Sequence, residues 1–300
     1  MRARRSCLSV PASEARFHAR AALTQADEVF LDLEDSVAPA AKARARGMAL
    51  EAMRILRFAA PVLAVRVNGI NTEWFAEDVR AMALEGPDNL DCLIVPKVES
   101  AEQVRHVDSL LAHHEARAGR SRPLGLELQI ESALGLENAA AIAAASPRAE
   151  SLIFGPGDYA ASMGMPQLAI GGDDPAIWDY PLQRIAVAAR ACGLQVIDGP
   201  VSRVRDTDLL RRSAERSARL GYDGKWAVHP DQVPIINQVY SPTLAEFERA
   251  GQILDAYAEA AGGPARGAVM VGEEMADEAT RKLADALHRR GRAAGLGGTG

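Results

Sequence analysis

Short apolar runs and longer amphipathic stretches alternate along most of the chain. Runs of β type stand at 6–10 (SCLSV), 28–33 (EVFLDL), 61–67 (PVLAVRV), 91–98 (DCLIVPKV), 124–130 (LGLELQI), 151–155 (SLIFG), 194–198 (LQVID) and 225–229 (KWAVH). Between them the apolar spacing changes to the helical period over 13–25, 40–57, 72–85, 100–118, 136–145, 179–192 and 203–220. Several of these stretches open on a capping residue, Ser13, Thr72 or Ser100, and Ser100 with Gln103 forms a capping box. The β-type runs are apolar on both faces, as strands are when helices cover both sides of a parallel sheet. Eight such units within about 230 residues predict an α/β fold closed as a (β/α)₈ TIM barrel. An open, doubly wound sheet is the alternative, but no G-x-G-x-x-G follows the first run.

Beyond the eighth run the pattern changes. The stretch 229–242 (HPDQVPIINQVYSP) leads to a helical pattern over 243–260, a Gly/Pro-rich hinge at 261–267 (AGGPARG) and a second helical pattern near 276–290. This divides the chain into a catalytic barrel, 1–240, and a C-terminal segment, 241–300. The second helix carries only Leu283 and Leu287 as large apolar residues, too few for a core of its own. It is expected to dock on another surface, the barrel mouth or a neighbouring subunit. The segment then reads as a helical lid and oligomerisation element, and its end, GRAAGLGGTG (291–300), as a flexible tail.

Composition narrows the function classes. The 300 residues are 48% hydrophobic and 25% charged with a net charge of −6, which offers no basic footprint for nucleic acid and no polybasic membrane signal. No window approaches the length of a membrane span, and the apolar stretch behind the N-terminal arginines is too short for a signal peptide. Three scattered cysteines (Cys7, Cys92, Cys192) lack zinc-site or disulfide spacing and point to a reducing cytoplasm. Only four of the 34 basic residues are lysines (Lys42, Lys97, Lys225, Lys282), so a lysine is mildly informative.

In a barrel, polar residues at the carboxyl ends of the strands form the active site. Here they are Asp32, Glu34 and Asp35 on the second strand, Arg66 and Asn68 on the third, and Lys97 and Glu99 on the fourth. Gln129 and Glu131 follow on the fifth, then Asp158, Asp198 and His229 on the sixth to eighth. Glu131 and Asp158 end consecutive strands, so their carboxylates converge on one face. Either acid alone reads as readily as a helix cap or an arginine partner. Together, as hard oxygen donors, they suit Mg²⁺, with Mn²⁺ as a substitute. A metal chelated by this pair, with Arg66 against developing negative charge, is equipment for carbon–carbon cleavage of a small hydroxy acid. Lys97 admits two readings, an ion pair with Glu99 or a mouth acid, or a Schiff-base nucleophile. Arg16 and Arg20, four apart on the first helix, face either solvent or a ligand's phosphates. His113 and His114 are adjacent on a helix and point to different sides. The glycines of GPGD (155–158) suit a tight turn close to a ligand.

The runs FLDLEDSVAP (30–39), VRVN (65–68), IVPKVES (94–100), LQIESALGLEN (128–138), IFGPGDYAASMG (153–164), IDGP (197–200) and GYDGKWAVHPDQV (221–233) resemble the HpcH/HpaI aldolase and citrate lyase β-subunit family. The likeness covers nearly the whole chain. It extends to the tail, where GEEMADEATRKLA (272–284) and GRAAG (291–295) are similar to the CoA-ester lyase branch, actinobacterial malyl-CoA/β-methylmalyl-CoA lyases in particular. The resemblance implies a TIM barrel with a C-terminal lid, Mg²⁺ held by Glu131 and Asp158, and Arg66 as a catalytic residue that binds the oxyacid. It further implies that Asp277 on the lid acts as acid or base in a neighbouring subunit's site, within a homotrimer or homohexamer. CoA would lie across the mouth with Arg16 and Arg20 at its phosphates, while Asp32, Glu34, Asp35 and Lys97 support the site from behind. Ala276 stands where relatives carry Ile or Val. The implied reaction is reversible cleavage of (S)-malyl-CoA or β-methylmalyl-CoA to glyoxylate and acetyl-CoA or propionyl-CoA. A β-type subunit acting on an acyl-carrier thioester, a citramalyl-CoA lyase, a malyl-CoA thioesterase and a non-catalytic binding protein are the other readings.

Overall fold

The computed structural model describes residues 2–166, 175–261, 268–272 and 274–297. The chain divides into two compact units, Arg2–Tyr240 and Ser241–Gly300. In the first, the order is β1 (Ser6–Pro11), α1 (Ala15–Ala21), β2 (Glu28–Asp32), α2 (Lys42–Ile55), β3 (Val62–Arg66), α3 (Phe75–Glu85), β4 (Cys92–Val95), α4 (Ala101–Ala118) and β5 (Gly125–Ile130). It continues with α5 (Ala133–Glu137), α6 (Ala139–Ala143), β6 (Ala149–Phe154), α7 (Pro156–Ser162), α8 (Asp179–Ala191), β7 (Gln195–Asp198), α9 (Thr207–Arg219), β8 (Gly224–Ala227) and α10 (Val233–Tyr240). The eight strands pair in parallel in sequence order, and β1 closes on β8 through Cys7 and Trp226. This is the (β/α)₈ barrel that the alternation predicts.

Side chains alternate between two cores because successive strand residues point to opposite faces. Outward residues such as Leu31, Val65, Leu128 and Val196 meet the helices in the large outer core. Inward residues, Cys7, Phe30, Ala64, Cys92, Ile94, Ile153, Ile197 and Trp226, fill the barrel itself. On β2 this parity runs Glu28, Phe30, Asp32 from floor to mouth, and on β5 it runs Glu127, Gln129 and on to Glu131 just past the strand. Gly224 lets the chain entering β1 pass beside β8, because a Cβ there would stand 1.7 Å from the Arg4 carbonyl oxygen.

Two helices differ from the pattern read in the sequence. The stretch 136–145 is two short helices, α5 and α6, opened by Ser132, whose hydroxyl accepts from Gly135 N–H at 3.0 Å. The stretch 229–242 contains the eighth barrel helix, α10. The capping box at Ser100 is present, with Gln103 N–H donating to the Ser100 hydroxyl at 3.3 Å and Ser100 N–H to Gln103 Oε1 at 3.2 Å. Ser13 and Thr72 do not cap; the N-cap positions are Glu14 and Trp74.

The second unit comprises α11 (Leu244–Ala261), β9 (Ala268–Val271), β10 (Glu274–Asp277) and α12 (Glu278–Ala293). The β9–β10 hairpin stands before the expected second helix and takes over its first two positions, 276 and 277; Val269 and Ala276 pair across the strands and bury against Tyr257 and Ile253 of α11. Contrary to the expectation from Leu283 and Leu287, α12 finds its packing surface on α11 in its own unit. Small residues make the contact: Gly291 lies where a Cβ would come within 2.2 Å of the Phe247 ring, and His288 stacks on that ring at 4.5 Å. Leu283 is 72% exposed. The expected flexible tail divides: residues 298–300 lie outside the described residues, whereas 291–293 finish α12 and Leu296 N–H donates to Gly291 O at 2.8 Å. Most of the hinge, 262–267, also lies outside them.

Candidate active site at the carboxyl ends of the barrel strands

Arg66 ends β3 beside β2, with Asp32 as its register partner. Its Nε and Nη2 donate to the two Asp32 oxygens at 2.7 Å each, a fork that fixes the guanidinium plane. Nη1 lies 3.1 Å from Glu34 Oε2. Burial alone would raise the Asp32 carboxyl, but the charge and hydrogen bonds of Arg66 outweigh it and hold Asp32 below its ordinary range. Asp32 also receives the Glu34 N–H at 2.9 Å, which turns the chain so that Glu34 points back at Arg66. Lys42, at the start of α2, donates to the Leu33 and Glu34 carbonyls at 2.9 and 2.7 Å and holds the same turn from beneath.

Glu131 is 2% exposed. Its Oε2 accepts from Gln129 Nε2 at 2.6 Å and its Oε1 from the Lys97 N–H at 2.7 Å. That second bond requires an unusual backbone: Lys97 has φ of +54°, the left-handed region, which costs a non-glycine residue roughly 1–2 kcal/mol. Gly155 makes the room, since a Cβ there would stand 2.3 Å from Glu131 Oε2. Burial first, and then the nearby Asp158, push the Glu131 carboxyl well up. Asp158 itself stands in the first turn of α7, one step past the strand end read in the sequence, with its side chain 41% exposed. Lys97 Nζ pairs with Glu34, reaches Asp35 at 3.4 Å and Asp158 at 3.9 Å. Desolvation works against the ammonium, but these carboxylates raise it well above the ordinary lysine value. This geometry fits the ion-pair reading of Lys97 better than the Schiff-base one, since its ammonium is engaged by carboxylates. Its partners are the mouth acids rather than Glu99, which accepts from Ser132 Oγ at 2.8 Å.

The donor set suits a hard divalent cation. Among the described residues no group of three or more His, Cys, Asp or Glu stands in ligating geometry. Two carboxylates suffice for Mg²⁺, which keeps water and substrate oxygens in its other positions. Charge makes the stronger case. Asp32, Glu34, Asp35, Glu131 and Asp158 face the cations Arg66, Lys97 and Lys42, leaving two negative charges in excess. Glu131 and Asp158 would hold a divalent ion, whose charge would offset this excess and favour the ionised form of Glu131.

Within the barrel unit, the other candidates do not join this cluster. Asn68 bonds Asp78, through its N–H at 3.0 Å and Nδ2 at 2.6 Å. Asp198 has the wrong parity: Ile197 points inward, so Asp198 faces the helices and pairs with Lys225 at 2.5 Å. His229 lies past β8 and accepts the Asp231 N–H at 3.2 Å through Nδ1. It lines a 220 Å³ cavity at the β1–β8 side of the mouth together with Pro11, Phe17 and Arg20. Arg16 does not line that cavity; it is exposed, lies over the Phe17 ring at 4.7 Å and pairs with Glu14 at 3.4 Å. Asp277 belongs to the second unit, where it caps α12 and accepts from Thr280 N–H and Oγ1 at 2.9 and 3.0 Å. Those bonds hold its carboxyl below the ordinary value.

The HpcH/HpaI aldolase/citrate lyase family matches residues 5–230, three quarters of the chain and nearly all of the barrel. The chain belongs to this family. Among its relatives is the L-malyl-CoA/β-methylmalyl-CoA lyase of Cereibacter sphaeroides, 38% identical over 93% of this chain and 92% of that protein. The (3S)-malyl-CoA thioesterase of the same organism is 35% identical over 85% of this chain and 84% of its own. Among solved structures, CitE of Mycobacterium tuberculosis in complex with magnesium, acetoacetate and coenzyme A superposes with a TM-score of 0.72. It is 28% identical and covers 96% of this chain and 97% of that one.

Two contributors to this lyase-family site escaped the sequence reading. Lys42 is marked in the sequence only as one of four scarce lysines, with no role at the mouth, and Trp226 only as part of the eighth run. Trp226 points inward and its ring lies 5.3 Å below the Arg66 guanidinium carbon. The inward parity of β8 was the available signal.

Proposed function

We propose that this protein is a divalent-metal-dependent CoA-ester lyase that reversibly splits (S)-malyl-CoA or β-methylmalyl-CoA into glyoxylate and acetyl-CoA or propionyl-CoA. The observation that carries the reading is the doubly clamped Arg66 beside Glu131 and Asp158, in a cluster whose five carboxylates outnumber its three cations. An oxyacid with adjacent oxygens fits between Arg66 and these two acids, and the names of the relatives supply the thioester.

Magnesium held by Glu131 and Asp158, with manganese as a substitute, would supply Lewis-acid polarisation of the oxyacid's oxygens. Arg66 contributes its remaining N–H groups, fixed in plane by Asp32, to the oxygen on which charge develops. Glu34 and Lys97 keep Arg66 and Asp158 in place. In cleavage a base takes the proton of the substrate hydroxyl, the O–H electrons form the carbonyl of the oxoacid, and the carbon–carbon bond breaks with its electron pair passing to the thioester α-carbon. A proton then returns to that carbon. Asp277 is the group assigned to this transfer, from the lid of a neighbouring subunit in a trimer or hexamer. In the condensation direction the same carboxylate would take the α-proton. Arg20, and Arg16 beside it, are the partners proposed for the CoA phosphates. No helix among the described residues is long and apolar enough to cross a membrane; the reading places the enzyme in the cytoplasm.

The test is to incubate the purified protein with Mg²⁺, glyoxylate and either acetyl-CoA or propionyl-CoA and to identify the product by mass. A condensed thioester that disappears with EDTA is expected. No product with either thioester, together with ligand binding indifferent to EDTA, sinks the reading. The thioesterase relative supports a second reading, hydrolysis of malyl-CoA. It predicts free thiol in an Ellman-type assay, whereas the lyase leaves CoA esterified.

A further inference from the structure

We propose that Trp226 is a positioning residue for Arg66, its ring face setting the height at which the guanidinium meets an oxyacid; this deepens the lyase reading and rests on it. Asp32 and Glu34 lie at the edges of the guanidinium, where its N–H groups point. Such bonds resist displacement within the plane. Rocking out of the plane is opposed by whatever covers the faces, and the Trp226 ring lies under the guanidinium carbon at 5.3 Å. An aromatic face attracts a cation, more so away from water, and the Arg66 side chain is 9% exposed.

Trp226 is itself held. It is 4% exposed, sits in the barrel interior among Ile94, Ile153 and Ile197, and packs against Phe30 with ring centroids 4.5 Å apart. Its Nε1 is buried without a hydrogen-bond partner, so its role comes from the ring face rather than from a donated bond. An aliphatic side chain at this position would leave Arg66 without an aromatic floor.

The experiment compares Trp226→Phe, which keeps a ring face, with Trp226→Leu, which does not. In the condensation assay the Leu variant is expected to raise the glyoxylate KM about tenfold, while the acetyl-CoA KM stays within about twofold and the Phe variant stays near wild type. A general loss of stability would not separate the two substrates in this way. Should the Leu variant fail to fold, Trp226→Met offers a flexible side chain of similar volume, also without a ring. Crystal structures of the variants supply a second readout, with Arg66 displaced or disordered in the Leu or Met protein and in place in the Phe protein. An unmoved Arg66, an unchanged glyoxylate KM, or a Phe variant as impaired as the Leu one overturns the proposal. If the wild-type protein forms no condensed thioester, the lyase reading fails, and the position of Arg66 in the crystals still decides the role of Trp226.

Discussion

The two ends of the barrel carry the same ingredients, an arginine among carboxylates, arranged to opposite ends. At the floor, Arg4 is 2% exposed and donates to Glu28 at 2.8 Å, Gln195 at 2.6 Å and Glu150 at 2.6 Å. Glu127 stands 3.4 Å away, and a hydrogen bond to Cys92 Sγ at 3.3 Å completes the set. The floor is closed, and burial and then Glu127 push the Glu28 carboxyl well up. At the mouth, Arg66 is clamped as firmly, but Lys97 and Asp158 each keep 41% of their side-chain surface in contact with solvent. There the surplus can be met by an ion from outside. A buried charge cluster that the protein balances alone holds a fold together, whereas one left unbalanced beside an opening is a binding site.

Substitutions at the mouth should therefore cost activity, and substitutions at the floor should cost stability. The largest effect is expected for Glu131→Gln and Asp158→Asn, which should lower the condensation rate roughly a hundred- to thousandfold. The melting temperature should also cease to rise with added Mg²⁺; a variant that keeps its metal-dependent shift removes that residue from the metal site. Arg4→Met strands buried carboxylates and is expected to lose about 3–5 kcal/mol in denaturant unfolding, with substrate KM values unchanged in the folded protein. A shifted KM would show that the two ends are coupled. Arg66→Lys keeps the charge but loses the fork to Asp32, so a rate loss of roughly ten- to a hundredfold is expected, read in kcat/KM, at little cost in stability. Equal activity would mean that charge without geometry suffices.

The smallest effect concerns pH. The folded value of Glu28 lies above its unfolded one, so its contribution is full below the unfolded value and is lost as pH rises through the folded value. Glu28→Gln removes that loss. Relative to wild type it should gain stability as pH rises above the ordinary glutamate range, measured by urea unfolding. A constant difference as pH rises would mean that Glu28 holds no proton.

The sequence by itself determined the barrel, because an eightfold alternation of apolar runs and helical stretches has few other ways to bury both faces of a parallel sheet. It also pointed to Glu131, Asp158 and Arg66, because strand ends in this topology converge whatever the details. Residue parity and pairing were beyond it. Asp198 and Asp32 look alike as acids at the ends of short strands, yet one faces the helices and the other the mouth. A shift of one residue in where a strand ends reverses that outcome. The floor cluster joins Arg4, Glu28, Glu127 and Glu150 from four separate segments, and only barrel closure brings them together. The left-handed turn at Lys97 and the ring of Trp226 beneath Arg66 are likewise tertiary facts, each depending on what the neighbouring strand presents. In the tail, small residues at Ala284 and Gly291 let α12 sit close on α11, a contact that a search for large apolar side chains passes over. Local periodicity sets which elements form; which charges meet, and whether they are left in balance, is decided when the sheet closes.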